Sequence, residues 1–511
     1  NAPMIADWLQ SIRYRPCRVV ASSRRPVPLH PLFLHPGGTL LPLLVPGQGK
    51  RRQRLFKKVQ ALISSPRPAD LARPPHRLPP FGDILRVLRK YNLLPAIFFL
   101  KSRADCDKAL DLCLDQALSD QARLKRLGRR IDDLIDRFPH LRRHRQLGYL
   151  TRLTVGAHHG GQLPAWKLIL ETLMSDGLLD AIFATSTVAA GVNFPARTVV
   201  FLNSDRFNGR EFVPLSPTQF HQMTGRAGRR GMDRIGFALA VPGKFMDTRL
   251  IARLVTAAPS AVISQIKINF SMALNLLLSH TPGEVKSLLH RSLAAFMLKK
   301  GVSRPRSPIA AAPAPADLWR DFQHHLAFLR KTGYVSAKGA VTQDGIWASR
   351  LRVDHPLVIA EGFRLKAFPD QDPALLAGII AAFVNEQEPD EDVAKSETPQ
   401  KLVRAYVHAR RNVAPLAAQM LKAGFFARPL FLRPASAILA WALGQPWERV
   451  LSIAQTAEGD LAMLILRTAD NLRHIKALAQ PFPDAAATAA KAIDLLLREP
   501  VIELGPIVNQ T

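Results

Sequence analysis

The chain has 511 residues, 47% of them apolar and 22% charged, which is enough to bury cores in about three domains and too apolar for a disordered polymer. Lys and Arg outnumber Asp and Glu by 70 to 40, and the net charge of +30 suits a polyanionic partner through counterion release, although a high-arginine genome or an acidic region elsewhere would leave the same excess. No apolar run reaches the roughly 18 residues of a membrane helix, and Cys17, Cys106 and Cys113 form no CxxC pair, which excludes a membrane span, a disulfide framework and a structural zinc site and fits a reducing cytoplasm.

The sequence opens on Asn1-Ala2-Pro3-Met4, with neither an initiator methionine nor the shape of a secretion signal, and reads as a chain that starts within a domain. A short helix is predicted over Ile5–Leu9, then β-rich segments at Arg18-Val19-Val20 and Pro26–Leu29. Residues 42–80 are basic and proline-rich, so they read as a linker. Between about 81 and 248 short apolar runs alternate with helical stretches: Ala96–Leu100, Leu153–Val155, Ala181–Ala184, Val199–Leu202 and Phe237–Val241. That rhythm predicts an α/β domain with a parallel sheet and helices on both faces, whose ligands sit beyond the carboxyl ends of the strands. Residues 262–300 read as helical, 301–316 as a Pro/Ala-rich connector and 317–350 as a small helical domain with a wing. From 351 onward Leu- and Ala-rich helical periodicity dominates, broken by the acidic loop Glu386–Asp392.

The segment richest in chemistry is Gln222-Met223-Thr224-Gly225-Arg226-Ala227-Gly228-Arg229-Arg230-Gly231, just ahead of a predicted strand. Its glycines let the backbone approach a charged ligand, and its arginines offer planar, permanently charged forks that match phosphate. Upstream, Phe183–Thr198 runs from an apolar strand into Thr185, Ser186 and Thr187, then Gly191 and Asn193. Hydroxyls and N–H groups at a strand end hold phosphates without reading bases, though plain helix capping also explains Thr185 and Thr187. His158-His159 lacks the i, i+4 spacing of a helical zinc site; His140 and His144 have it, but among Arg142, Arg143 and Arg145, which would repel a cation. No metal site is therefore expected.

The segments Pro95–Asp107, Ala157–Glu171, Phe183–Thr198 and Gln222–Gly231 resemble motifs IV, IVa, V and VI of the superkiller-type DExH-box RNA helicases of superfamily 2. Ala6–Leu9 resembles the sequence after the family's motif III, Arg25–Leu29 the end of its first RecA-like domain, and Ser264–Leu277 with Thr342–Ala348 its winged helix. Glu458–Ile475 resembles its ratchet helix. The resemblance implies a remnant of the first RecA-like domain over 1–41, the linker 42–80, a second RecA-like domain over 81–248, a connector and winged helix over 249–350 and an all-α helical domain over 351–511.

It also implies roles. Arg226 and Arg229 would be catalytic, meeting the ATP γ-phosphate across an interdomain cleft; Gln222 would couple nucleotide to strand, and Gly191 and Asn193 would lie near the nucleotide. Ser102, Gly160, Thr185 and Thr187 would face the RNA backbone, with Arg467 and Arg473 as ratchet-helix candidates against the reading of a solvated helix face. The implied cofactors are ATP and Mg²⁺, and the implied partner is single-stranded or tailed RNA, with DNA as the alternative. Departures are equally plain. No GxxxxGK[ST] string occurs, since Gly47-Gln48-Gly49-Lys50-Arg51 has the wrong spacing and Arg in place of the hydroxyl, and Asp390-Glu391-Asp392-Val393 lies outside any motif order. Ser186 stands where the family usually has Glu, and the short stretch Ala295–Ala316 leaves no room for an arch insertion, as in compact bacterial members. The expectation is an RNA helicase's second motor domain and following domains, which alone would not hydrolyse ATP. A DNA-repair helicase and a degenerate nucleic-acid-binding scaffold are the alternatives.

Overall fold

The computed structural model describes residues 2–22, 25–46, 53–64, 80–113, 120–189, 196–208, 211–301, 317–353, 355–384 and 398–502. These form two units: residues 21–261 make a sheet-based unit, and residues 1–20 with 262–506 make a helical one.

The sheet unit is built on seven strands: β1 (Leu29–Leu34), β2 (Leu40–Pro42), β3 (Ala96–Phe99), β4 (Val155–His158), β5 (Ala181–Ala184), β6 (Thr198–Phe201) and β7 (Gly236–Ala240). Their spatial order is β2-β1-β7-β6-β3-β5-β4, with only the β2 edge antiparallel. All five strands predicted between 81 and 248 are present; four have bounds within one residue of the expectation, and the one expected at Leu153–Val155 runs two to three residues later, over Val155–His158. Consecutive phenylalanines show why both faces need covering. Side chains alternate across a strand, so Phe98 meets Phe81 of helix Phe81–Lys90 and Phe183 at ring separations of 5.6 and 5.0 Å. Phe99 instead meets Phe201, which stacks on Phe220 of helix Pro217–Thr224 at 5.2 Å.

The first 80 residues divide differently from the expectation. Helix Ala2–Arg13 belongs to the helical unit, where Trp8 Nε1 donates to the Arg291 carbonyl at 2.9 Å. β1 joins the motif-bearing sheet, with Leu29–Phe33 in parallel register against Gly236–Ala240, instead of closing a separate first-domain remnant. Arg18–Val20 forms no strand, and the expected linker carries the hairpin Leu44–Pro46/Gln53–Leu55 and helix Lys57–Ser64. The physical reason is that β pairing is decided by backbone hydrogen bonds to distant residues, which local composition does not encode.

In the helical unit one continuous core runs from Ile268 to Val501, so the expected division at 351 is not a break in packing. Helices Phe270–Ser279, Pro282–His290, Leu293–Lys299, Leu318–Lys331 and Gln343–Ser349 precede it, with a single antiparallel bridge, Val335 to Val341, where the wing was expected. Helix Pro373–Val384 is apolar on every side and buried from Ala374 to Val384, as befits the centre of a bundle. Gly378 lets the Ala435 carbonyl come within 3.0 Å of where a Cβ would sit, so helix Leu432–Ala442 packs close. The acidic loop Glu386–Asp392 lies outside the described residues.

Candidate nucleic-acid and nucleotide sites

Four of the expected backbone-contact residues converge at the carboxyl ends of three neighbouring strands. Ser102 follows β3, Thr185 and Thr187 follow β5, and Gly160 follows β4. Ser102 Oγ accepts the Asp105 N–H at 3.0 Å and caps helix Arg103–Asp111, while the Thr185 and Thr187 hydroxyls bond each other at 2.8 Å. Thr187 remains exposed and Thr185 half-buried. A Cβ on Gly160 would stand 3.3 Å from Arg103 Nη2, so the glycine keeps that guanidinium close to the loop.

Behind this edge, Asp107 is a hub. It accepts from Arg145 at 2.7 Å and from Gln146 at 2.9 Å, and its Oδ1 lies 3.2 Å from His159 Nε2. Gln146 Oε1 accepts the Ala157 N–H at 3.1 Å, tying the hub to β4. Burial alone would raise the Asp107 carboxyl, but the bond and charge of His159, then Arg145, hold it below its ordinary range. His158 Nε2 pairs with Glu171 at 2.9 Å. Each histidine thus faces one carboxylate across the β4 helix–strand packing.

His144 stacks on Trp166 with ring centroids 3.6 Å apart, and burial, then the Arg145 charge, pull it down to about 3 against the attraction of Asp107. A buried histidine kept neutral sets a pH slope, because the unfolded chain takes up its proton first. The sheet unit is therefore expected to lose stability as pH falls from about 6.5 towards 3, with this residue contributing up to about 1.4 kcal/mol per pH unit. In denaturation series at pH 7.5, 6 and 5, His144→Phe should flatten that slope; an unchanged slope would assign it elsewhere.

The arginine loop is held by its backbone. Helix Pro217–Thr224 starts with a Ser216/Gln219 capping box and leaves Gln222 exposed. Beyond it, Ala196 N–H donates to the Arg226 carbonyl at 2.9 Å, and Gly228 N–H donates to the Ala196 carbonyl at 2.7 Å. Arg25 Nη2 donates to the Thr224 carbonyl at 2.8 Å and to that of Ala227. Gly228 has φ +83°, and a Cβ there would meet Val27 at 2.5 Å and Gly236 at 3.2 Å, so only glycine fits between the loop and β7.

The two expected catalytic arginines differ in environment. Arg226 is half-buried, and burial lowers its pKa, which marks a cation stripped of part of its hydration. Arg229 places Nε and Nη2 on the two oxygens of Asp233 at 2.9 and 3.1 Å, and its own N–H adds a third bond at 2.9 Å. Arg197 Nε completes the group on Asp233 Oδ1 at 2.8 Å. Burial would raise Asp233, but the bonds from Arg229, then Arg197, bring it to about 2. Contact between Arg229 and a phosphate therefore requires exchanging one anion for another. Loop and charge fit a phosphate group. The loop does not fit Mg²⁺, since both oxygens of Asp233 are occupied by guanidinium groups.

Gly191 and Asn193 lie outside the described residues. Arg467 and Arg473 sit on helix Glu458–Lys476 of the helical unit; Arg467 is half-buried, and Arg473 lies exposed, 3.6 Å from Asp470. Asp233, Arg197 and Arg25 went unassigned from sequence. Only Asp233 carried a local signal, four residues after Arg229 in an otherwise basic run.

Two family models match the chain. The helicase conserved C-terminal domain matches residues 133–231, which hold β4, β5, β6 and the arginine loop, and the DSHCT (NUC185) domain matches residues 338–503 in the helical unit. The human exosome RNA helicase MTR4 is 32% identical over 289 residues, covering 54% of this chain and 28% of that protein. The probable helicase HelY of Mycobacterium tuberculosis is 33% identical over 328 residues, covering 59% and 35% respectively. Mouse superkiller complex protein 2 is 32% identical over 332 residues, covering 59% and 26%. The chain spans about a quarter to a third of the length of these relatives. With both family domains in order and the motif residues on one RecA-like sheet, the chain belongs to the superkiller-type helicases of superfamily 2.

Proposed function

We propose that this chain supplies the second motor domain, a winged helix and a ratchet-bearing helical domain to an ATP-dependent RNA helicase acting in RNA processing or decay. The observation that carries the reading is the convergence of Ser102, Gly160, Thr185 and Thr187 on one carboxyl edge of a sheet that also carries the arginine loop. At that edge, hydroxyls and backbone groups grip the sugar-phosphate chain without reading bases. Arg226, partly desolvated in its glycine-flanked loop, neutralises charge building on a nucleotide's terminal phosphate. Arg229, held by Asp233, fixes the loop and becomes a second contact when a phosphate displaces the carboxylate. Bound ATP with Mg²⁺ supplies the phosphoryl-transfer free energy. Without a P-loop string in these 511 residues, the cradle for that nucleotide comes from a first motor domain. The buried thiols Cys106 and Cys113, both pushed above their ordinary range by burial, suit a reducing cytoplasmic setting.

The purified 511-residue chain should bind single-stranded RNA, with affinity falling on the order of tenfold between 50 and 200 mM salt. Thr187→Ala and Gly160→Ala should weaken it, as read by fluorescence anisotropy with matched RNA and DNA strands. RNA-stimulated ATP hydrolysis by this chain alone would overturn the division of labour, and tighter binding of the DNA strand would overturn the assignment to RNA.

A further inference from the structure

The opposite edge of the same sheet carries a second collection of charge. A cavity of about 440 Å³ opens at the amino ends of β3 to β6, lined among others by Arg89, Arg123, Arg197, Arg229, Asp120 and Asp180. This is roughly fifteen water volumes. Two carboxylates organise it, and each is shared by two guanidinium groups. Asp180, its side chain 2% exposed, accepts from Arg89 and from Arg123, both at 2.6 Å. Asp233, 1% exposed, takes Arg197 and Arg229 as described. Asp120 caps helix Gln121–Arg137 by accepting the Arg123 N–H at 2.9 Å. Among the described residues, four guanidinium groups therefore gather here against the three carboxylates of Asp120, Asp180 and Asp233.

One donor there is also unused. Arg123 Nη1 is on Asp180 and its Nη2 on the Leu178 carbonyl at 3.0 Å, but its Nε is buried without a partner. A buried N–H that finds no acceptor is costly and calls for explanation. The rim also turns through the left-handed region: Asn92, Thr154 and Gly177 line the cavity with φ of 55°, 53° and 70°. A β-branched threonine in the left-handed region persists only where the surroundings enforce it.

We propose that this cavity is an anion site that takes a phosphate or pyrophosphate group, gripped by Arg123 and Arg197, beside the arginine loop whose Arg229 also lines it. Arg89, Arg123 and Arg197 keep 37%, 27% and 22% of their side chains exposed, so a multivalent oxyanion in the cavity balances the excess charge, and planar guanidinium forks suit its geometry. The inference does not rest on the helicase reading, since it needs only these side chains. The same group is carried by free phosphates and by the RNA backbone, and the experiment separates the two.

The full chain is titrated with pyrophosphate by calorimetry in low-chloride buffer. Arg123→Gln should weaken binding by about tenfold or more, and Asp180 keeps Arg89 as its partner in that variant. Asp120→Asn retains a helix cap and removes an opposing charge, so it should tighten binding several-fold. A short single-stranded RNA that displaces pyrophosphate from wild type assigns the site to backbone phosphate; failure to displace it assigns the site to free phosphates. Absence of millimolar pyrophosphate binding, or equal affinity in wild type and Arg123→Gln, overturns the proposal. Should Arg123→Gln fail to fold, unchanged affinity in Asp120→Asn overturns it equally. Arg123 and Asp120 lie outside the RNA edge and the arginine loop, so an effect on RNA affinity alone would report on the helicase reading instead.

Discussion

Asp233→Ala is expected to destabilise the sheet unit by about 3 kcal/mol or more at neutral pH. The carboxylate is 1% exposed, and its two guanidinium partners are only 12% and 22% exposed, so its removal leaves two poorly hydrated cations facing each other. The loss also reaches the loop backbone, because Asp233 accepts the Arg229 N–H as well as its side chain. The pH dependence has a definite sign. Asp233 sits at about 2, below its ordinary range, so its contribution is complete above about pH 4 and is lost as pH falls towards 2. Urea unfolding of wild type and variant should differ by the full amount at pH 7 and converge near pH 2. A difference below about 1 kcal/mol at pH 7 would mean that the cluster is an ordinary surface network. Asp233→Asn should fall between the two, since an amide oxygen still accepts but carries no charge.

The second large effect concerns chemistry. In a polypeptide that joins this chain to a P-loop-bearing motor domain, Arg226→Gln is expected to lower kcat for ATP hydrolysis by about 10³, the lower end of the range for an arginine supplied in trans. RNA affinity should be little changed, because Ser102, Gly160, Thr185 and Thr187 lie at the carboxyl edge, whereas the loop precedes β7 at its amino end. Arg226→Lys should recover only part of the rate, since an ammonium cannot reproduce a planar fork. Arg229→Gln should cost both rate and stability, because it also leaves Asp233 with one guanidinium partner instead of two. That split between the two arginines separates a residue that acts on substrate from one whose pairing with Asp233 also holds the loop. Equal losses in kcat and in unfolding free energy for both variants would remove the distinction.

Much of this was present in the order of residues. Apolar runs such as Ala181–Ala184 declare buried parallel strands because both of their faces must be covered, and glycines between arginines declare close approach to an anion. Those are local properties, carried by neighbours in the chain. The sharing of Asp233 between Arg229 and Arg197, 36 residues away from it in the case of Arg197, is not local. Nor is the pairing of Leu29–Phe33 with Gly236–Ala240, which moved β1 out of the expected first-domain remnant. Residue types and spacing thus determined the family, the strands and the arginine loop. The tertiary structure alone decided which carboxylate holds Arg229 and which distant arginine shares it, because ion pairs and strand registers depend on distances between segments far apart in the chain.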